Sequence, residues 1–427
     1  MAFDTKYAIG YDLNDVCVQM SYCSLKDLNP ETFSTIAGEQ NYDIPTVLCK
    51  KSEVNQWFFG DEAEKVLAHD AGIRVERLLE QSRKGEMIQI ESEEYDPTAL
   101  LALFMKRTLH LLSTVMSVED VEALMITADN LDETTLHVLE KVAPELPVPV
   151  EKIHFQSYAE SIYFYTLSQP EELWKQRVMV FDYAYRGLGV YGMHMNERTQ
   201  PVVAFMDENH FPDFISPEAM YPDISESERN IRMDEKMLQT MKECIDRYVI
   251  SSVYLIGDGF EGDYLKKTLK YLCMGRRVFQ GKNLYTKGAA YSAMEKIVPG
   301  SYSATHIFLG KDKLKSNFGV KVMSAGEETY VALVDAGVNW YEAVARYDFI
   351  LAAEPVVPVI VTPLDGKDVR TVEIELPGLP IRPAKATRIT LKISFKSEHQ
   401  ALIRIYDMGF GEMYPSSGKV WDQEIEI

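Results

Sequence analysis

"RVMVFDYAYRGLGVYGM", residues 177–193, opens as a buried strand that runs into Asp182 and closes as an alternating strand, with Tyr185 and Arg186 crowding the turn between them. Near the start of the chain "AIGYDLNDVCVQM", residues 8–20, has the same order: an apolar lead, an aspartate, a short polar turn and an apolar alternating strand. Period-two alternation on either side of a short polar turn predicts a β-hairpin. Two such hairpins predict a duplicated unit, with Asp12 and Asp182 facing one another across a cleft between two similar lobes.

The segments around the hairpins alternate helix and strand. "DPTALLALFMKRTLHLLSTV" predicts a helix, because Asp96 can cap it, Pro97 suits the first helical position and leucines recur at three and four residues. "VEALMIT" (121–127) reads as a buried strand, and "DETTLHVLEKVA" and "SYAESIYFYTLS" read as helices on either side of a short strand near Ile153. Beyond the second hairpin, "SSVYLIGDGFEGDYLKKTLKYL" (251–272) is a strand, a turn with Gly257 and Gly259, and an amphipathic helix. Glycines there would let the backbone approach a ligand, and a helix N-terminus offers unpaired amides to an anionic group. In "GKNLYTKGAAYSAMEK" (281–296) the small residues Gly288, Ala289 and Ala290 predict a helix packed closely on the sheet.

Composition bounds the rest. A chain of 427 residues with 46% hydrophobic content buries a large core and is too long for one ordinary domain, so two are expected. A formal charge of −21 repels the phosphates of nucleic acid and anionic lipid surfaces, so neither nucleic acid nor membrane is an expected partner. Cys17, Cys23, Cys49, Cys244 and Cys273 lack paired metal-binding spacing, and the sequence has no evident signal peptide or membrane-spanning apolar run. A cytoplasmic location is the expectation.

In this order the pieces resemble the actin-like ATPase superfamily, and within it the seventy-kilodalton heat-shock chaperones. The phrases that carry the resemblance are "IGYDLND", "YAESIYFYTLSQ" through "VMVFDYAYRGLGVY", and "LIGDGFEGDYLKKTLK" with "LYTKGAAYSA". It implies an α/β, actin-like N-terminal domain of two duplicated ribonuclease H-like lobes over residues 1–304. A linker beginning "THIFLGKDKLK" follows over 305–314, then a substrate-binding-like β-sandwich over 315–427 in which "TRITLKISF" and "ALIRIYDM" alternate and "ELPGLPIRP" turns. An extended peptide would lie across that domain by backbone pairing and apolar pockets, or the domain would serve only as an interface. With no helical lid after Ile427, a bound peptide is expected to be held loosely.

The resemblance implies nucleotide contacts at Asp12, Asn14, Asp182, Arg186, Gly187, Gly257 and Gly259. Asp12 and Asp182 would hold magnesium through water, and Asp12, Gln156 and Asp182 would be catalytic if the site is active. Departures from the family pattern oppose that activity. The first loop reads Asp12-Leu13-Asn14-Asp15, which loses a hydroxyl and adds a charge where phosphate would sit. In the second, Ala184, Tyr185 and Arg186 replace a glycine run and would fill the phosphate space, although the Arg186 guanidinium would alternatively bind phosphate itself. Asp258 and Phe260 stand where the third loop is usually small. The phosphate-contacting lysine has no clear counterpart; Arg74 or Arg77 would serve, or would be a solvated helix face. The short span from Asp182 to Gly257 implies that the subdomain over the adenine is reduced or missing.

The expectation is therefore a chaperone-like or scaffold protein that binds polypeptide, with ATP and magnesium bound weakly or not at all. The alternative is an active ATPase or phosphotransferase with a rebuilt phosphate site. A filament-forming role is disfavoured by the appended β-domain.

Overall fold

Alternating apolar residues carry Tyr7–Leu13 (β1) and Cys17–Ser24 (β2) into an antiparallel hairpin in which Asp12 faces Gln19. The computed structural model describes residues 5–52, 56–69, 72–300, 304–324, 326–352, 354–364 and 368–427. It divides into two units, Met1–Ile307 and Phe308–Ile427.

In the first unit β2 continues to a short strand, Glu31–Thr32 (β3). A three-stranded sheet (Val47–Lys51, Trp57–Phe59, Gly72–Glu76) and two helices, Leu78–Lys84 (α1) and Pro97–Leu111 (α2), follow. Asp96 caps α2, accepting from the Thr98 amide at 2.9 Å, with Pro97 in the first turn. Val121–Ala128 (β4), Glu133–Val142 (α3), Ile153–Ser157 (β5) and Tyr158–Leu167 (α4) complete the first lobe.

The second hairpin pairs Arg177–Ala184 (β6) with Gly187–Asn196 (β7), which continues to Val202–Phe211 (β8). A long helix, Glu226–Ile245 (α5), then leads through Ile250–Ile256 (β9), Lys266–Leu272 (α6) and Arg277–Gly281 (β10) to Leu284–Ile297 (α7). Met233, Met237, Met241 and Ile245 recur every four residues along α5, forming one stripe that is buried with Phe181, Val253 and Leu255. Between Asp182 and Gly257 the chain holds three strands, β7, β8 and β9, a one-turn helix at Pro217–Met220 and the long α5.

The strand order is β5-β4-β1-β2-β3 in one lobe and β10-β9-β6-β7-β8 in the other. Directions repeat as well: β1 and β6 each pair antiparallel with the next strand and parallel with β4 and β9 respectively. Asp12 lies beside Thr127 of β4 and Asp182 beside Ile256 of β9. One topology therefore occurs twice, with an aspartate at the same strand end each time.

Helix α7 follows β10 in sequence but packs on the other lobe. Ala289, Ala293 and Met294 share a core with Ala8, Ala123 and Met125. A Cβ on Gly10 would lie 2.1 Å from the Thr286 carbonyl oxygen, and one on Gly288 would lie 2.0 Å from that of Ser161 in α4. The small residues thus serve a sheet on one side, as expected, and also a helix on the other.

The second unit holds two four-stranded antiparallel sheets. One is Glu327–Val334, Ser316–Ser324, Val356–Pro363 and Arg370–Glu375; the other is Ala345–Ile350, Arg388–Ser397, Gln400–Gly409 and Val420–Glu426, in those orders. Phe318 and Phe395 meet edge to face between them at 5.1 Å.

The segment read as a linker, 305–314, holds the boundary between the two units and is itself ordered. His306–Leu309 is a strand with Phe308 and Leu309 buried, and Lys313 and Leu314 beyond it are buried too. Apolar side chains in "HIFL" and at Leu314 outweigh the charges between them.

Candidate functional site

The duplicated strands bring Asp12 and Asp182 to the same region, and the starts of α4 and α7 supply the groups that hold them. Tyr158, the first residue of α4, donates its phenol to Asp12 Oδ1 at 2.7 Å. Tyr285, the second residue of α7, donates to Asp182 Oδ2 at 2.8 Å. The two rings are stacked, with centroids 3.7 Å apart and planes 11° apart. The result is a continuous aspartate, tyrosine, tyrosine, aspartate arrangement that ties the lobes together.

Burial governs its electrostatics. Asp12 is pushed up to about 7 by desolvation and secondarily by the Asp182 charge, against the opposing Tyr158 hydrogen bond. Asp182 is pushed up to about 6 by desolvation, with Asp258 adding to it and Tyr285 opposing. Both phenols are held well above their ordinary value, chiefly by burial, and so remain donors. Because folding raises both carboxyls, each contributes stability that is complete below the ordinary 3.8 and is lost as the pH climbs through about 6 and about 7. The Tm of the first unit is expected to fall by roughly 5 °C or more between pH 5.5 and pH 8.5. Asp12→Asn should remove much of that slope in calorimetric scans; an unchanged slope would contradict the burial of this carboxyl.

The other sequence-predicted residues divide by position. Tyr185 is 54% exposed, and Arg186 forms an ion pair with Asp129 and lies over the Tyr158 ring at 5.7 Å. Tyr185 lines the cavity beside the hairpin turns, and the Arg186 charge acts to lower the Asp12 pKa. Arg186 is engaged by the Asp129 carboxylate, which also sits 3.5 Å from Arg83. The Asn14 side chain is turned inward on its own loop, accepting from the Val16 and Cys17 amides at 2.9 and 3.0 Å. Asp15 accepts from the Leu79 and Glu80 amides at 2.8 and 3.1 Å. Its carboxylate caps α1 from another part of the chain and also lines the acidic cavity beside the hairpin turns.

Gln156, near the end of β5, is buried and donates to Ser161 Oγ at 2.7 Å, which in turn meets Thr127 Oγ1 at 2.7 Å. Gly257 has φ of +93°, and its Cβ would meet the Tyr183 carbonyl oxygen at 2.4 Å. A Cβ on Gly259 would strike the Tyr183 ring at 2.1 Å, and one on Gly187 the Phe211 carbonyl oxygen at 2.5 Å. These glycines make room for the chain's own atoms.

Beside the hairpin turns lies a cavity of about 600 Å³ lined by Asp15, Asp43, Glu64, Glu76, Glu80 and Asp258, with Arg74, Arg77, Cys17 and Tyr185. Six carboxylates thus face two cations. Both arginines are engaged, Arg74 with Glu64 and Glu76 and Arg77 with Glu80. Asp43 accepts from Gln19 Nε2 at 2.6 Å and from the Cys17 thiol at 3.6 Å. Such a lining opposes a polyphosphate, and each buried aspartate that would face magnesium water already accepts a phenol. Among the described residues no group of three or more histidine, cysteine, aspartate or glutamate side chains is placed to hold a metal ion.

All five cysteines are free. Among the described residues no helix is long and apolar enough to cross a membrane.

Sequence reading missed Tyr158, Tyr285 and Asp129. A signal for the tyrosines was present, since "FQSYAES" and "GKNLYTKG" each pass from a short strand into a helix that begins near a tyrosine.

A domain of unknown function (DUF8552) matches residues 313–427. No curated protein matches the chain. The model of a family of unknown function (DUF5716), C-terminal, matches residues 29–311, more than half of the sequence and nearly all of the duplicated unit. The chain therefore belongs to the DUF5716 family.

Proposed function

We propose that this protein is a heat-shock-70-like scaffold of actin-like build that binds polypeptide through its C-terminal domain and does not turn over ATP. The observation that carries the reading is the stacked Tyr158 and Tyr285 pair, which engages both of the aspartates that the resemblance assigns to magnesium. Three features support it: the twice-repeated strand order, the acidic cavity whose arginines are spent on carboxylates, and glycine turns occupied by Tyr183. Gln156, the residue that would orient water in an active relative, donates to Ser161 instead. Free thiols and a net charge of −21 suit a reducing, cytoplasmic setting without nucleic acid or membrane as partner.

In this reading the C-terminal unit works without a nucleotide switch, because no ligand shifts an equilibrium without favouring one state. Fluorescence anisotropy of a labelled apolar peptide, titrated with the full chain, should give the same affinity with and without magnesium-ATP. Peptide affinity that falls severalfold on adding magnesium-ATP would overturn the reading, since it requires both a working nucleotide site and communication between units.

A further inference from the structure

The acidic cavity beside the hairpin turns is charged unevenly. Part of its lining is neutralised, since Arg74, Arg77 and the nearby Lys84 pair with Glu64, Glu76 and Glu80. The remaining carboxylates, Asp15, Asp43 and Asp258, have no arginine paired with them among the described residues. Lys282 stands 4.0 Å from Asp258 but pairs more closely with Glu261. Burial pushes up the thiol of Cys17, which lines the cavity, and the charges of Asp43, Asp12 and Asp258 add to it. Three carboxylates thus bear on one point of the lining.

A second observation, independent of this charge, lies behind Asp43. Gln19 is 5% exposed and leaves β2 on the same face as Cys17, two residues before it, so its side chain runs toward the cavity wall. Its Nε2 donates to Asp43 Oδ1 at 2.6 Å, and its Oε1 has no donor among the described residues. A buried acceptor without a donor is costly. This wall therefore lacks an N–H or O–H group, which a ligand seated at Asp43 would bring.

The chemistry of that ligand follows from the dispersal of the carboxylates. Among the described residues no three of them are placed to share one metal ion, so the answering charge has to be spread over several centres. Val16, Pro45 and Tyr185 line the same cavity and offer apolar surface among the acids. Its volume of about 600 Å³ lies within the range of small-molecule sites. We infer that this cavity binds a linear aliphatic polyamine, with ammonium groups at Asp43 and Asp258 and methylenes against Val16 and Tyr185. A lysine side chain carries one ammonium on one stem, which suits dispersed carboxylates less well. The inference goes beyond the polypeptide reading, which concerns the C-terminal unit, and is tested separately from it.

Titration calorimetry of the full chain with spermidine is the test. Saturable binding is expected, and it should weaken by about tenfold when salt is raised from about 50 to about 500 mM. Asp43→Asn with Asp258→Asn should lower the affinity by about tenfold or more. Glu140→Gln with Glu151→Gln removes as much charge from exposed positions outside the cavity and should leave the affinity within about twofold. Asp258→Asn alone, at an exposed side chain, should weaken binding severalfold with no change in Tm, which serves if the double variant folds poorly. Equal losses in the two double variants would reveal attraction to an acidic surface only and overturn the site. Absence of saturable heat, or binding that both Asp258 variants leave unaltered, would overturn it too. Magnesium chloride that displaces spermidine at equal or lower concentration would overturn the organic-cation chemistry. A lysine-rich peptide that displaces spermidine at lower concentration would assign the cavity to polypeptide and overturn the proposal.

Discussion

Gly10→Ala is expected to destabilise the first unit by about 4 kcal/mol or more, enough to leave little soluble folded protein. The added methyl would sit 2.1 Å from the Thr286 carbonyl oxygen and 2.4 Å from the Ala290 amide nitrogen, both backbone atoms of α7. A flexible side chain could move aside, but a helix backbone cannot. Retreat of α7 is blocked on its other side, where Gly288 already lies against the Ser161 carbonyl of α4. Because α7 also carries Tyr285, the same substitution should disturb the stacked tyrosines and the Asp182 contact. Circular dichroism of the variant measures the effect. A melting temperature within about 2 °C of the parent would mean that α7 does not pack on β1 in this way.

In the second unit the largest single effect is expected from Arg382→Met. It removes the cation and leaves the buried Asp407 carboxylate without its bidentate partner. Breaking a buried pair from one side costs about 3–5 kcal/mol, because the remaining charge stays desolvated. Adding Asp407→Leu should recover much of the loss, since the uncompensated charge goes with it, although the amides of Gly409 and Ser417 then lose their acceptor. Urea unfolding of both variants compares them. A double variant less stable than Arg382→Met would show that the amide contacts of Asp407 outweigh its ion pair.

Local pattern carried much of the first unit into the sequence reading. The two hairpins and their aspartates were legible because alternation and a polar turn are local properties, and the Asp96 cap with Pro97 was legible for the same reason. Tyr158 and Tyr285 were not, because an aromatic residue at the start of a helix looks like ordinary core until the tertiary fold sets two of them face to face. The capping role of Asp15 was not legible, because the amides it accepts from lie at Leu79 and Glu80, far along the chain. Tyr185 and Arg186 were placed in the cleft by adjacency to Asp182; in the fold Tyr185 lines the acidic cavity and Arg186 is held by Asp129. The strand at His306–Leu309 was hidden by the charged residues after it, which read as linker when only composition is weighed.

In the proposed reading, stacked tyrosines and an acidic lining stand in place of a working nucleotide site, and titration calorimetry of the full chain with magnesium-ATP probes that site. The prediction is no saturable heat at protein concentrations of tens of micromolar, because six carboxylates line the cavity and both buried aspartates already accept phenols. Saturable binding in the micromolar range that is lost in Asp182→Asn would contradict it.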